Sequence, residues 1–241
     1  MAYKSFFNWS GGKDSSLALY HLLNDKRYSV EKLLTNISGV YQRVSMHGVR
    51  EALIQQQAAA IEIPLQTLIL SHEPSMAEYE SCMMKIMNEL RQQNFTHSIF
   101  GDIFLEDLKE YRETQLAKVE ITAVFPLWKR DTTKLIHEFI ELGFKTIVVC
   151  VNEKYLDKSF CGRIIDESFI AALPANVDVC GENGEFHTFV FDGSIFKQPV
   201  SFTKGEIIHR KYTAPKNQTD NCFQPVVDED YGFYFCDLLP A

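Results

Sequence analysis

Residues 8–16 read Asn8-Trp9-Ser10-Gly11-Gly12-Lys13-Asp14-Ser15-Ser16, between an apolar run holding Phe6 and Phe7 and a stretch with helical spacing. A strand feeding a short Gly/Ser loop and then a helix aims free backbone N–H groups beyond the strand end, where they favour an anion. Gly11 and Gly12 let the main chain approach a phosphate with no Cβ in the way. Lys13 adds a mobile positive charge, and Ser10, Ser15 and Ser16 add hydroxyl donors. The loop is too short for the G-x-x-x-x-G-K-[ST] form. Without a ligand the same residues make a turn, a solvated Lys13-Asp14 pair and a helix start at Ser15. The contiguous match at the first strand-to-helix junction favours the phosphate loop.

Beyond it, apolar runs alternate with helical patterns: strands at Lys4–Trp9, Lys32–Ile37, Leu65–Leu70 and His97–Gly101, and helices at Asp14–Asp25, Val49–Ile61, Met76–Gln93 and Leu105–Val119. Helices of this length between strands predict an α/β fold with a parallel sheet covered on both faces. Met83, Met84, Ile86, Met87 and Leu90 share a helix face and read as core. The rhythm changes at Phe125-Pro126-Leu127-Trp128. A helix at Thr132–Leu142 and a strand at Lys145–Val151 follow, then irregular sequence with the alternating stretch Glu206–Tyr212 and an apolar strand at Tyr231–Leu239. Residues 1–125 are expected to form the parallel-sheet domain that carries the phosphate loop, and residues 126–241 a smaller α+β domain. Asn217-Gln218-Thr219-Asp220 reads as a surface loop.

A formal charge of −8 over 241 residues argues against a large polyanionic partner, so no nucleic acid is expected. Cys82, Cys150, Cys161, Cys180, Cys222 and Cys236 form no C-x-x-C pair and no zinc-like spacing, which suits buried thiols in a reducing cytoplasm. No charged-then-apolar leader and no run long enough to span a bilayer is evident, so no membrane partner is expected. A homo-oligomer is compatible with the sequence, which does not decide it.

Ligands of open parallel sheets sit beyond the carboxyl ends of the strands. Besides residues 10–16, two such ends carry polar groups: Thr35–Ser38 with Ser45-Met46-His47-Gly48-Val49-Arg50, and Gly101-Asp102. His47 and Gly48 are candidates for nucleotide contact, against the plainer reading of a turn at a helix start. Gly101 and Asp102 matter because they should open onto the crevice of Lys13. Asp14 either complements the helix dipole or holds Mg²⁺, which favours one or two carboxylates plus phosphate oxygens. A second cluster, Asp178-Val179-Cys180-Gly181-Glu182-Asn183-Gly184-Glu185-Phe186-His187-Thr188, presents Glu182 and Glu185 on a tight loop. They are candidates for holding a second Mg²⁺, orienting an amine or acting as a base, with His187 either a proton carrier or a hydrogen-bonded structural residue ahead of a strand. By composition alone the same stretch is a turn with solvated charges.

Ser-Gly-Gly-Lys-Asp-Ser at 10–15 resembles the pyrophosphate loop of enzymes that split ATP between its α- and β-phosphates. Together with Gly-Glu-Asn-Gly-Glu-Phe-His-Thr at 181–188, Gly101-Asp102-Ile103, Arg112-Glu113, Phe125-Pro126-Leu127-Trp128 and Gly162-Arg163, it resembles the diphthine–ammonia ligase family of the N-type ATP pyrophosphatases. The resemblance implies an adenine-nucleotide α-hydrolase-like (HUP, Rossmann-like) domain followed by an acceptor domain. It also implies ATP and Mg²⁺ as cofactors, and adenylation of a carboxylate followed by amidation with ammonia. Lys13, Glu182, Glu185 and His187 would then be catalytic. Arg112 and Arg163 would bind the acid, although structural ion pairs explain both equally well. Residues 45–50 are similar to bacterial relatives, which implies that the acceptor, small-molecule or protein-borne, need not be diphthine. Two other readings stay open: a tRNA-modifying enzyme with the same loop, and a nucleotide-binding protein without turnover.

Overall fold

The computed structural model describes residues 2–45, 47–71, 75–212 and 231–241. Strands β1 (Tyr3–Asn8), β2 (Tyr28–Ser38), β4 (Leu65–Leu70), β5 (His97–Ile99) and β6 (Thr122–Val124) form a parallel sheet in the order β4-β2-β1-β5-β6. Helices α1 (Lys13–Leu23), α2 (Glu51–Ile61), α3 (Met76–Gln92) and α4 (Glu106–Ala117) alternate with them. The two-residue strand β3 (Arg43–Val44) pairs antiparallel with Ile37 and Ser38. The fold is α/β, as the alternation predicts.

Period-two alternation places the core on both faces of this sheet. Phe7 and Leu33 face a layer with Leu19, Leu53 and Ile54, whereas Phe6 and Leu34 face Met87, Leu90 and Phe95. The Met-bearing face of α3 packs into the second layer, with Met87 buried and Met83 and Met84 against it. Helix α2 ends at Glu62, whose φ of +63° turns the chain left-handed just ahead of Pro64.

A second, antiparallel sheet of order β8-β7-β10-β9 follows, built from β7 (Lys145–Asn152), β8 (Phe186–Asp192), β9 (Phe202–Tyr212) and β10 (Tyr231–Pro240). Helix α5 (Thr132–Glu141) precedes it and α6 (Glu167–Ala172) lies within it. The structure adds β3, β6 and α6 to the elements legible in the sequence. Two- and three-residue strands carry too little periodicity to register, and α6 is a single short helical stretch. The loop expected at 217–220, together with Met46 and Cys222, lies outside the described residues. Of the cysteines, Cys150, Cys161, Cys180 and Cys236 are buried free thiols, and Cys82 is partly buried.

The two sheets share one apolar cluster, in which Phe7, Leu19 and Ile54 continue into Ile147, Val149 and Phe189. A polar seam runs along the same junction. Gln57 of α2 is fully buried, accepts from Trp9 Nε1 at 2.9 Å, and donates to Gly11 O at 2.9 Å and to Val190 O at 2.5 Å. Gly11 O also accepts from Val190 N at 2.9 Å. Removing the amide strands two polar groups, so Gln57→Ala is expected to destabilise the protein by about 2–5 kcal/mol. Urea unfolding should show this as a lower midpoint at unchanged m-value.

Candidate active site

Strand order reverses between β1 and β5, so the loop after β1 and the Gly101-Asp102 segment after β5 open onto one crevice. Gly11 has φ +79°, and a Cβ there would lie 2.6 Å from Gln57 Oε1 and from Ile54 Cδ1. A Cβ on Gly101 would lie 2.9 Å from Ser15 N and 3.0 Å from Asp14 C. Glycine at these two positions lets the loop fold back on α2 and lets β5 abut the first turn of α1.

Helix α1 starts at Lys13 with Gly12 as its cap, and no side chain of the cap residue closes the turn. Thr188 of β8 reaches over instead, its hydroxyl accepting from Lys13 N at 3.0 Å. Ser10 and Ser15 share a 2.6 Å hydroxyl contact, while the Ser16 hydroxyl donates to Gly12 O inside the helix. Ser10 and the buried Ser15 are thus paired with each other, and the Ser16 hydroxyl is occupied by its own helix backbone.

The Lys13 ammonium is 4 % exposed, lies 2.7 and 2.9 Å from the two Asp14 oxygens, and sits 5.5 Å from the Phe186 ring. Burial alone would lower the Lys13 pKa, but Asp14, then Cys180 and Glu182, outweigh it and raise it. Burial raises the Asp14 pKa, opposed by Lys13 and reinforced by Asp178. Burial likewise raises Asp102, against the pull of Arg112 and with a push from Asp14. Glu182 is pushed up to about 7, first by burial and then by Asp14, with Asp102 adding and the Ile103 N–H and Lys13 opposing. The crevice thus gathers more carboxylates than its one lysine neutralises. Among the described residues no group of three or more His, Cys, Asp or Glu side chains is placed to hold a metal ion unaided. Mg²⁺ takes one or two carboxylates and otherwise phosphate oxygens, so Asp14 fits as a single protein ligand.

The second loop divides its two glutamates. Glu185 is 1 % exposed and faces inward; its carboxylate accepts from Asp178 N at 2.9 Å, Asn183 N at 2.9 Å and Asn183 Nδ2 at 3.1 Å. Glu182 crosses the crevice and accepts from Ile103 N at 2.7 Å. His187 stacks on His47 with ring centroids 4.7 Å apart. Thr188 O can only accept, so the 3.2 Å contact with His47 Nδ1 places the His47 proton on Nδ1. Burial holds His47 at about 4 and His187 well below its ordinary value, so both rings are neutral near pH 7. Gly48 has φ +69° and packs beside Phe235 of β10. Asp237, also on β10, pairs with Arg43 at 2.8 Å and Arg50 at 2.6 Å, clasping the segment that carries His47.

Arg112 lies 3.0 Å from Asp102 and its guanidinium covers Phe100. The geometry leaves Asp102 Oδ2 without an aligned hydrogen bond, although the ion pair is close. Arg163 projects elsewhere: its guanidinium lies over Phe160 and Phe169, and Phe169 in turn meets Phe186. The structure therefore gathers Lys13, Asp14, Asp102, Arg112, Glu182, His47 and His187, buries Glu185 within its own loop, and holds Arg163 behind a layer of rings. Gln57, Asp178 and Thr188 also shape the site. Asp178 and Thr188 stand inside the second cluster, whereas Gln57 is one of three successive glutamines on α2 and carries no signal of its own.

The same two segments carry the relationship to known proteins. Residues 3–120 match the model for the diphthamide synthase N-terminal domain, and residues 131–215 match its C-terminal domain. The chain belongs to the diphthamide synthase family. Curated relatives include the diphthine–ammonia ligase of Danio rerio, 24 % identical over 64 % of this chain and 60 % of that protein. That of Homo sapiens is 22 % identical over 71 % of this chain and 68 % of its own. That of Mus musculus is 25 % identical over 83 % and 82 %. The match thus spans about three-fifths of the Danio rerio relative. A solved structure described as a predicted subunit of tRNA methyltransferase from Methanocaldococcus jannaschii aligns over 80 % of this chain and 98 % of its own, with TM-score 0.41 and 16 % identity. No helix among the described residues of this diphthamide synthase family member is long and apolar enough to cross a membrane.

Glu182 supplies a pH test. Its folded-state pKa lies above the ordinary glutamate value, so its contribution to stability is fully present at acid pH and is lost as pH rises through about 7. Glu182→Gln keeps an acceptor for Ile103 N–H and removes the charge. Thermal melts should show the variant gaining on the unaltered protein between pH 5 and pH 8.

Proposed function

We propose that this chain is an ATP-dependent amide ligase that moves AMP from ATP onto a substrate carboxylate, releases pyrophosphate, and then joins ammonia to the acyl group. One observation carries this reading. The start of α1, closed by the Thr188 hydroxyl rather than by a side chain of its own cap residue, places Lys13 opposite the acidic second loop across a crevice at the strand-order switch. The names of the curated relatives support an acid and ammonia as the joined groups.

A carboxylate is a poor acyl donor, so its oxygen must first acquire a good leaving group. Loop residues 10–15 hold the outer phosphates, and Lys13 with the helix N-terminus stabilises charge growing on the departing pyrophosphate. Mg²⁺, held through Asp14, would neutralise phosphate charge. Arg112 receives the acid once Asp102 yields it, because a guanidinium offers a carboxylate paired donors. Ammonia then attacks the acyl carbon, the C–N bond forms as the bond to AMP breaks, and the surplus proton passes to Glu182. With a pKa of about 7, Glu182 is a better base than an ordinary glutamate. The neutral His47–His187 pair lines the same wall and offers lone pairs rather than positive charge. Glu185 keeps the loop in shape. The acceptor is a carboxylate of small-molecule or protein-borne origin, diphthine among them. Free thiols among the described residues fit a reducing cytoplasm.

Incubation with ATP, ammonium and a panel of carboxylic acids should yield AMP and pyrophosphate only when the right acid is present. ADP as product would refute the scheme. Lys13→Ala should reduce pyrophosphate release by roughly 100-fold or more, in line with the loss of one charge-stabilising donor.

A further inference from the structure

Asp178 is engaged on all sides although no ligand-facing role falls to it. Its backbone N–H donates to Glu185 Oε1 at 2.9 Å. Its Oδ1 accepts from Cys180 N at 3.0 Å and from Glu182 N at 3.3 Å. Its Oδ2 accepts from the Thr132 hydroxyl at 2.7 Å, at the first turn of α5. The Cys180 thiol donates to Thr132 O at 3.4 Å, a second tie to the same helix end. The tight turn that carries Glu182 is therefore bolted to α5 through one carboxylate. From that turn the Glu182 side chain reaches the Ile103 amide, on the segment between β5 and α4 that borders the nucleotide crevice. A chain of contacts, Thr132–Asp178–Glu182–Ile103, connects the acceptor half of the molecule to the nucleotide half.

We propose that Asp178 is a positioning residue for the amide-forming step: by holding the Glu182 backbone it fixes the Glu182 carboxylate at Ile103, opposite Lys13. This assignment rests on the ligase reading for its catalytic consequence, but not for its geometry. The two amide bonds are the part that matters. Asparagine at 178 keeps an oxygen to accept both of them, and the Thr132 hydroxyl can turn to meet its amide nitrogen. Alanine releases the turn. The other carboxylate of the loop, Glu185, retains its three bonds in either variant, so the loop keeps its inner anchor and the protein stays folded.

Asp178→Ala should lower the rate of ammonia-dependent AMP formation by roughly 10–100-fold, the scale on which small misplacements act. Binding of a non-hydrolysable ATP analogue should be unchanged. Asp178→Asn should retain most of the activity. Because Asp178 acts through Glu182, adding Asp178→Ala to Glu182→Gln should cost no more than roughly twofold beyond Glu182→Gln alone, whereas a merely structural loss would add in full. Amide hydrogen exchange reads the same link without turnover. Protection at Ile103 should fall in Asp178→Ala and persist in Asp178→Asn. Full additivity in the double variant, or unchanged Ile103 protection in Asp178→Ala, overturns the proposal. If the unaltered protein makes no AMP with any acid, the ligase reading fails by itself, and Ile103 exchange alone decides whether Asp178 sets the position of Glu182.

Discussion

Strand β8 holds the molecule's two sheets together at the glycine-rich loop of residues 10–16. Val190 N binds Gly11 O, Thr188 Oγ1 takes the Lys13 amide, and Gln57 bridges Gly11 to Val190 from the far side. These groups are buried and bonded to one another, so removing any one partner leaves the other unsatisfied and out of reach of water. The apolar cluster beneath them is continuous across the junction. The loop's shape is thus a property of both sheets, although every residue of the loop belongs to the first.

Burial and charge oppose one another inside the crevice. Lys13 is almost fully enclosed, yet its surroundings favour the charged form because Asp14 lies against it. The surrounding acids have the reverse history, each pushed toward protonation by burial, with Lys13 pulling Asp14 back, Arg112 pulling Asp102 back and Asp14 adding to the push on Glu182. A site with one lysine and several half-suppressed carboxylates holds its negative charge in reserve. It can accept a proton at Glu182 near neutrality. The two imidazoles add no charge to this balance, since both rings are held neutral.

Much of this was legible in the chain. The Gly11-Gly12-Lys13 loop needs no partner to be recognised, because strand, turn and helix are adjacent in sequence and their chemistry is local. The alternating first half and the long helix α3 carry clear periodicity. The strands β3 and β6 do not, being two or three residues long, and they exist because a neighbouring strand offers an open edge. The roles of Glu182 and Glu185 could not be separated from their spacing. Both stand in one Gly-x-x-Gly frame, and only the fold turns one inward to its own loop and the other across to Ile103. Gln57 was invisible for the same reason, since its three partners are Trp9 and Gly11 in the segment after β1 and Val190 on β8. Arg163 read as an acid-binding fork, and the structure seats it on aromatic rings.

The Thr188 hydroxyl that meets the Lys13 amide is 175 positions further along the chain. The opening helix is therefore finished by a strand synthesised much later. During translation the first sheet can assemble while the end of α1 still faces water, and the cradle acquires its final outline only after β8 has docked. Long-range closure of this kind slows folding. The loop at residues 10–16 therefore reaches its final outline only in the presence of the second sheet.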